Sequence, residues 1–323
     1  MLGLKRALFA VMVSALLPSC GVHRTAPVMS GGVYTSTYFA PRFSAIAIIA
    51  PINVNLHTNS SRARVVIRAN PHDRAKLVVA VKHDVLHVSP VERFAHHVQY
   101  DTTYTGPITV DIYTPSLRRL SVHGNVHLTG HRLVTRLMDA SFDLDTSATV
   151  NLDGQIGLHE LNVTGSGSVT IQGNLKQNVM VKMSQNPRVH LTGEVRLASV
   201  EASGRGFLSV YWVKSPTTII RLHDAVSLQL AGFTHLLNVE LWNDARFNGR
   251  YLRADRSFVR THNHSRANIS TIDRQHVVAL DSSDIFLDEL PVMTSDFMGN
   301  DGAVIDMRDI EAPRVRENTL YNK

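Results

Sequence analysis

The chain has 323 residues, 44% apolar and 19% charged, a composition that buries a real core and excludes a disordered polymer. Its formal net charge is +6, with Lys5 and Arg6 among the contributors, too dilute for a nucleic-acid surface built from clustered basic residues. A single cysteine excludes an intrachain disulfide framework and any multi-cysteine zinc site.

Residues 1–19 read as a signal peptide. Met1 to Arg6 ends in a positive stretch, and Ala7 to Leu17 is apolar except for Ser14. That run is too short for a hydrocarbon core about 30 Å thick, and it matches the apolar part of a leader. It ends in Leu17-Pro18-Ser19-Cys20, which holds the chain's one cysteine and resembles a bacterial lipoprotein lipobox. Pro18 departs from the small or β-branched residue usual at its position. The resemblance implies that Cys20 is diacylated and becomes the mature N-terminus. Gly21, standing where an aspartate would divert sorting, implies the outer membrane, on its periplasmic or surface-exposed side. Each buried acyl methylene contributes about 0.8 kcal/mol, so several chains anchor where one does not. The alternative is an ordinary secretory signal cleaved elsewhere. No later apolar run approaches membrane-spanning length. Residues 20–42 mix Gly, Pro, Ser and Thr without periodicity and read as a flexible tether.

Residues 43–116 are rich in short alternating strands, such as Ile46-Ala-Ile48, Ile52-Asn-Val54-Asn-Leu56 and Ile108-Thr-Val110-Asp-Ile112. Polar turns such as Asn70-Pro71-His72-Asp73 join them. They are expected to form the opening rungs and cap of the repeat array that begins at 117, since an uncovered end invites edge-to-edge association.

From 117 to 310 one phrase recurs: apolar-x-apolar-x-Gly. It ends at Gly130, Gly154, Gly173 and Gly193, with steps of 24, 19 and 20 residues, and returns at Gly232 after 39. Leu208-Ser-Val210 supplies the copy in between without its glycine. A second apolar pair precedes the phrase, as in Leu161-Asn-Val163, with a small turn between the two such as Gly165-Ser-Gly167. Each unit therefore reads as strand, tight turn, strand, loop. A unit of about twenty residues cannot close its own core and must stack on its copies. The expected fold is all-β: a right-handed parallel β-helix (β-solenoid) with rungs of about 20 residues. Roughly nine or ten rungs make a rod about 45 Å long. Residues 311–323 are charged, apolar-poor and expected to form a disordered tail.

The best stretch, Leu161-Asn-Val163-Thr-Gly165-Ser-Gly167-Ser-Val169-Thr-Ile171-Gln-Gly173, resembles the GIN domain of bacterial envelope proteins, the auto-transporter adhesin head-like family. Ile108-Thr-Val110-Asp-Ile112-Tyr-Thr-Pro115-Ser-Leu117 matches the family's apolar-alternating phrase closed by Pro-x-Leu. The resemblance covers about 43–310, with Asp224-Ala225 and Asn243-Asp244 standing where later Gly-x-Gly turns are lost. It implies the solenoid fold and an envelope location.

Chemistry is thinly signalled. Asp139, Asp143, Asp145 and Asp153 are the nearest approach to a carboxylate cluster, but the following rung offers Thr164, Ser166 and Ser168 there. They read as a solvated face. His262-Asn-His264 would put two imidazoles on one side of a strand, but no Cys, Asp or Glu adjoins it. His123 and His127 alternate with apolar neighbours and read as exposed, with His190 in the place His127 holds several rungs earlier. Tyr211, Trp212 and Trp242 are candidate surface contacts. No catalytic residue, metal ligand or cofactor is expected. The expected function is a non-enzymatic, lipid-anchored scaffold or accessory subunit of an envelope assembly, such as a secretion-system outer-membrane complex. The alternative is a surface adhesin that binds glycan or a host surface, and a less favoured one is a polysaccharide-active enzyme. Expected partners are the membrane, through the anchor, and other envelope proteins, with glycan as a further candidate and nucleic acid excluded.

Overall fold

A computed structural model describes residues 23–24, 28–30, 32–58, 60–91, 104–289 and 291–308. The leader, Cys20 and the 311–323 tail lie outside the described residues. The strands form one continuous solenoid of about nine turns, almost all β. No helix among the described residues is long and apolar enough to cross a membrane.

The N-terminal strands are β1 (His23–Arg24), β2 (Val28–Ser30), β3 (Val33–Phe39), β4 (Ala45–Ile49), β5 (Asn53–His57) and β6 (Arg64–Ala69). After a short helix, α1 (Pro71–Ala75), come β7 (Leu77–Lys82), β8 (Val85–Pro90) and β9 (Thr109–Tyr113). The body continues through β10 (Arg119–Gly124), β11 (His127–Leu144), β12 (Thr149–Gly165), β13 (Ser168–Gly173), β14 (Leu175–Met183) and β15 (Arg188–Ala202). It proceeds through β16 (Phe207–Leu222), β17 (Ser227–Leu241), β18 (Arg246–Thr261) and β19 (Arg266–Leu280). The last strands are β20 (Asp284–Glu289), β21 (Met293–Gly299) and β22 (Ala303–Asp306).

Parallel pairing stacks like on like. One inward column runs Leu128, Val150, Val169, Val189, Leu208 and Leu228, then Phe247 and Ala267, all buried. The large Phe247 ring fits because its neighbours are small: a Cβ on Gly249 would lie 2.6 Å from it, and Ala267 stands on the next rung. Complementary volumes of this kind keep the interior at native packing density.

The rungs have three arms, where the sequence suggests two strands and a loop. Strands such as β11, with 18 residues, and β12, with 17, run unbroken through two corners. Register shifts at Gly130/Leu133 and Met138/Asp139 mark those corners in β11. In β12 the first arm is 149–154, the middle arm 155–159 and the last arm 160–165. The middle arm carries buried pairs such as Ile156/Leu158 and Val195/Leu197, too short to register as strands in sequence. It stays extended because buried backbone groups must pair with the adjacent rung.

Two further corrections concern alignment. Leu128, not Val126, stands in the column of Val150, so the first phrase is displaced by two residues. Leu133 rather than Gly130 pairs with Gly154, which accounts for the long first step, and His127 shares its column with Arg188 while His190 follows Thr129. Residues 33–39 are also no tether: β3 pairs antiparallel with β6 over six residues, and Tyr38 is buried against the Arg74 guanidinium. Its aromatic and β-branched residues suit a strand even though both faces are mixed.

Among the parallel rungs, residues 45–57 lie second in space though first in sequence. β4 sits between β8 and β10, and β5 between β9 and β11. The antiparallel strands β6, β7 and β3 then cover that end. Asn70-Pro71-His72-Asp73 is the capped start of α1 rather than a turn, with Asn70 accepting from the Asp73 amide at 2.8 Å. The Asp73 carboxylate is fully buried. It accepts from the Thr105 amide at 3.0 Å, the Gly106 amide at 2.9 Å, the Thr105 hydroxyl at 3.0 Å and Asn70 at 2.6 Å. Burial pushes its pKa up, but these donors outweigh that and hold it below the usual carboxylate value.

At the corners, glycine is required where rungs approach: a Cβ on Gly173, at φ +154, would lie 2.0 Å from the Gly154 carbonyl oxygen. In the later turns, Asp224, Asn243 and Asn263 adopt φ of +63, +62 and +61, the left-handed backbone that short polar side chains tolerate. Their side chains bond from rung to rung, Asn263 to Asn243 at 2.8 Å and Asn243 to Asp224 at 3.3 Å.

Gly173→Val is expected to cost roughly 3 kcal/mol or more, whereas Asn243→Gly, which keeps the left-handed backbone, should cost about 1 kcal/mol; chemical denaturation compares them. Because the folded pKa of Asp73 is depressed, its stabilisation is present above the unfolded carboxylate value of about 4 and fades as pH falls below it. The gap in thermal midpoint between wild type and Asp73→Asn should therefore be widest near neutrality and narrow below about pH 4.

Candidate functional site

The three outer faces differ in chemistry. On the last arm, outward residues pair from rung to rung: His123 Nδ1 lies 2.8 Å from Asp143 and Lys182 lies 3.1 Å from Glu160, while His159, at the corner that leads into that arm, lies 3.1 Å from Asp139. At the corner between the first and middle arms, His131 lies 2.5 Å from Asp153, which also accepts from the Arg132 amide at 2.7 Å. That amide, with His131, holds the Asp153 carboxyl below its usual range. Asp139, Asp143 and Asp153 are thus each engaged by a different histidine, and Asp145 is exposed beside the turn. No two of them converge on a common hydrogen-bond partner as an acid and base. Among the described residues, no group of three or more His, Cys, Asp or Glu side chains could hold a metal.

His262 and His264 do not share a strand face, because Asn263 between them takes the left-handed turn conformation. His262 instead belongs to a stack. His223, Trp242 and His262 follow in-register residues on three successive rungs, with ring centroids 4.2 Å and 6.0 Å apart and planes within 5°. An imidazole thus lies on each side of the Trp242 indole, His223 closely stacked and His262 more distant.

Tyr211 and Trp212 sit at a different corner, 42% and 44% exposed, with ring centroids 5.8 Å apart. Register passes from Tyr211/Ala231 to Val213/Gly232, so Trp212 is the extra residue of a β-bulge and is extruded from the ladder. Tyr251, 51% exposed, continues the column beyond Ala231. Local pattern does not single out Tyr251; its 40-residue distance from Tyr211, two rungs, is the signal that marks it. Beside this patch lies an open depression of about 460 Å³ lined by Lys176, Glu194, Arg196, Lys214, Phe233 and His235, among others.

The first arm presents a third surface, flat and polar. Its central outward column reads Thr129, Asn151, Thr170, His190, Ser209 and Gln229, continuing through Asn248 and Asn268. Burial, then the nearby Arg188 charge, lowers the His190 pKa.

A family model described as "Putative auto-transporter adhesin, head GIN domain" matches residues 42–223. The chain belongs to this GIN-domain family. The match ends where Asp and Asn take over the turns from glycine, while the parallel ladder itself runs on to β22. Similar solved structures include a "putative adhesin" from Parabacteroides merdae, 13% identical, covering 85% of this chain and 96% of its own, with a TM-score of 0.48. A "putative adhesin" from Parabacteroides distasonis is 11% identical over 85% and 96%, with a TM-score of 0.48. A "Putative lipid binding protein" from the same organism is 12% identical over 85% and 97%, at 0.44. Among curated proteins, none matches the chain.

The two tryptophans of this GIN-domain chain should respond differently to truncation. Trp242→Ala removes two stacking contacts and is expected to cost about 1–2 kcal/mol in urea denaturation, while Trp212→Ala, at an exposed bulge, should change stability by less than about 0.5 kcal/mol.

Proposed function

We propose that this chain is a lipid-anchored, non-enzymatic binding rod of the bacterial envelope that adheres through its side faces. The observation that carries this reading is the distribution of polar chemistry. Function-bearing side chains are spread as ladders along flat outer faces, and the carboxylates that could serve as acid and base are tied to separate histidines. A rod of about nine turns offers length and rigidity rather than an enclosed pocket. Membership in an adhesin-like family supports the same reading. Cys20, as the acylated N-terminus, would hold the rod at the outer membrane.

A second reading, a scaffold or accessory subunit of an envelope assembly such as a secretion-system complex, is favoured by the C-terminal turn. Val292, Met293, Phe297 and Met298 are all more than half exposed there, as at a protein–protein contact.

The test uses cells that carry a C-terminally tagged chain. The adhesive rod predicts cleavage by protease added to intact cells, and attachment to a polysaccharide- or host-derived surface that is lost on deletion and in Cys20→Ser. Protection from protease, with recovery of a stoichiometric set of crosslinked envelope proteins that disappears in Cys20→Ser, would replace it with the scaffold.

A further inference from the structure

We propose that the first-arm face is the docking surface, and that its ligand is an extended acidic polysaccharide lying along the rod axis. This rests on the adhesive reading and names the site and the ligand class.

The face consists of two outward columns that stay in register over eight rungs, from His127 and Thr129 to Arg266 and Asn268. At about 4.8 Å per rung it is roughly 34 Å long. None of its sixteen positions is Asp or Glu. The last-arm face over the same rungs carries Asp139, Asp143, Glu160, Glu201 and Glu240. Over these eight rungs the carboxylates lie on the other faces and corners; the flanking column meets its first acid, Asp284, on the next rung, and the central column's Asp111, two rungs before Thr129, is buried.

The central column is a file of hydroxyls, amides and one imidazole, groups that both donate and accept hydrogen bonds. Sugar hydroxyls demand this kind of partner. The rung spacing is close to the advance of an extended pyranoside chain per sugar, so successive sugars meet equivalent side chains.

The flanking column supplies the charge. Arg188, Arg246 and Arg266 are exposed on it, and only Arg266 has an acidic partner among the described residues, Asp284 at 3.3 Å. Arginine recognises carboxylate or sulfate bidentately. On the other side, the face is bordered by Tyr211, Trp212 and Tyr251, rings of the type that pack against the apolar faces of sugars.

Other occupants fit less well. A stable protein interface wants an apolar centre, whereas the centre of this face is polar. An anionic membrane surface or a nucleic acid wants clustered basic residues, and this face offers three arginines within its last five rungs, one of them already paired with Asp284.

Isothermal titration of the full chain with polygalacturonate, dextran sulfate and neutral dextran tests the inference. At least one acidic polymer should bind, weaken as salt rises, and bind at least tenfold more tightly than dextran. Preference between the two acidic probes tells carboxylate from sulfate recognition. R188Q/R246Q should weaken binding at least tenfold and flatten its salt dependence. Tyr211→Ala should weaken binding with the salt dependence kept. Arg260→Gln, on the last arm, should change nothing. Failure of both acidic polymers to bind overturns the inference, as does unchanged affinity in an R188Q/R246Q variant whose circular dichroism matches wild type. Attachment by intact cells in the absence of any polysaccharide binding would leave the adhesive reading standing without this site. Polysaccharide binding without attachment would leave the site standing without the adhesive reading.

Discussion

The body of this molecule depends on hydrogen bonding between parallel rungs at about 4.8 Å. Such pairing leaves no freedom in what stacks on what. A side chain turned inward meets the inward side chain of the rung before and the rung after, so one misfit propagates in both directions. The Phe247 ring shows how the constraint is met. Its size is matched by the absence of a side chain at Gly249 and by a single methyl at Ala267 on the next rung. Where backbones approach at a corner, the same constraint excludes any Cβ, as at Gly173.

The same stacking governs the exterior. Outward residues also fall into columns, and a column acquires a chemical character of its own. The last arm alternates acid and base, which neutralises charge from rung to rung and ties His123 to Asp143 and Lys182 to Glu160. Exposed pairs of this sort contribute little stability each; their effect is to leave that face electrically quiet. The two outward columns of the first arm from β11 to β19 are neutral to basic and, Phe207 apart, hydrogen-bonding. A rod whose faces differ in this way can be anchored by one end while it presents one surface to a long ligand.

The ends are handled differently. At the N-terminal end, antiparallel strands cover the ladder and a buried Asp73 carboxylate pins the returning chain at Thr105 and Gly106. At the C-terminal end two inward columns finish in acids, Asp296 after Val277 and Asp306 after Leu287, and two others finish in Val304 and Met298. A charge on a terminal strand opposes further edge-to-edge stacking.

The sequence by itself determined the repeat. Apolar alternation, a period near twenty and glycine at the close of each phrase are local signals, and together they admit a stacked solenoid and little else. They also show Asp224 and Asn243 as replacements for glycine, because short polar side chains share its tolerance of left-handed backbone. What only the tertiary structure decided is register. The two-residue displacement of the Gly130 phrase is invisible in sequence, since Val126 and Leu128 are equally apolar and only pairing chooses between them. The middle arm is hidden for a similar reason: two apolar residues set no period. The insertion of β4 and β5 beneath β10 and β11, and the pairing of residues 33–39 with β6, are contacts between distant segments. The stack of Trp242 between two histidines, and the carboxylate-free face, likewise exist because of which rung lies on which. Side chains some twenty residues apart become neighbours through backbone pairing, and no local pattern encodes that choice.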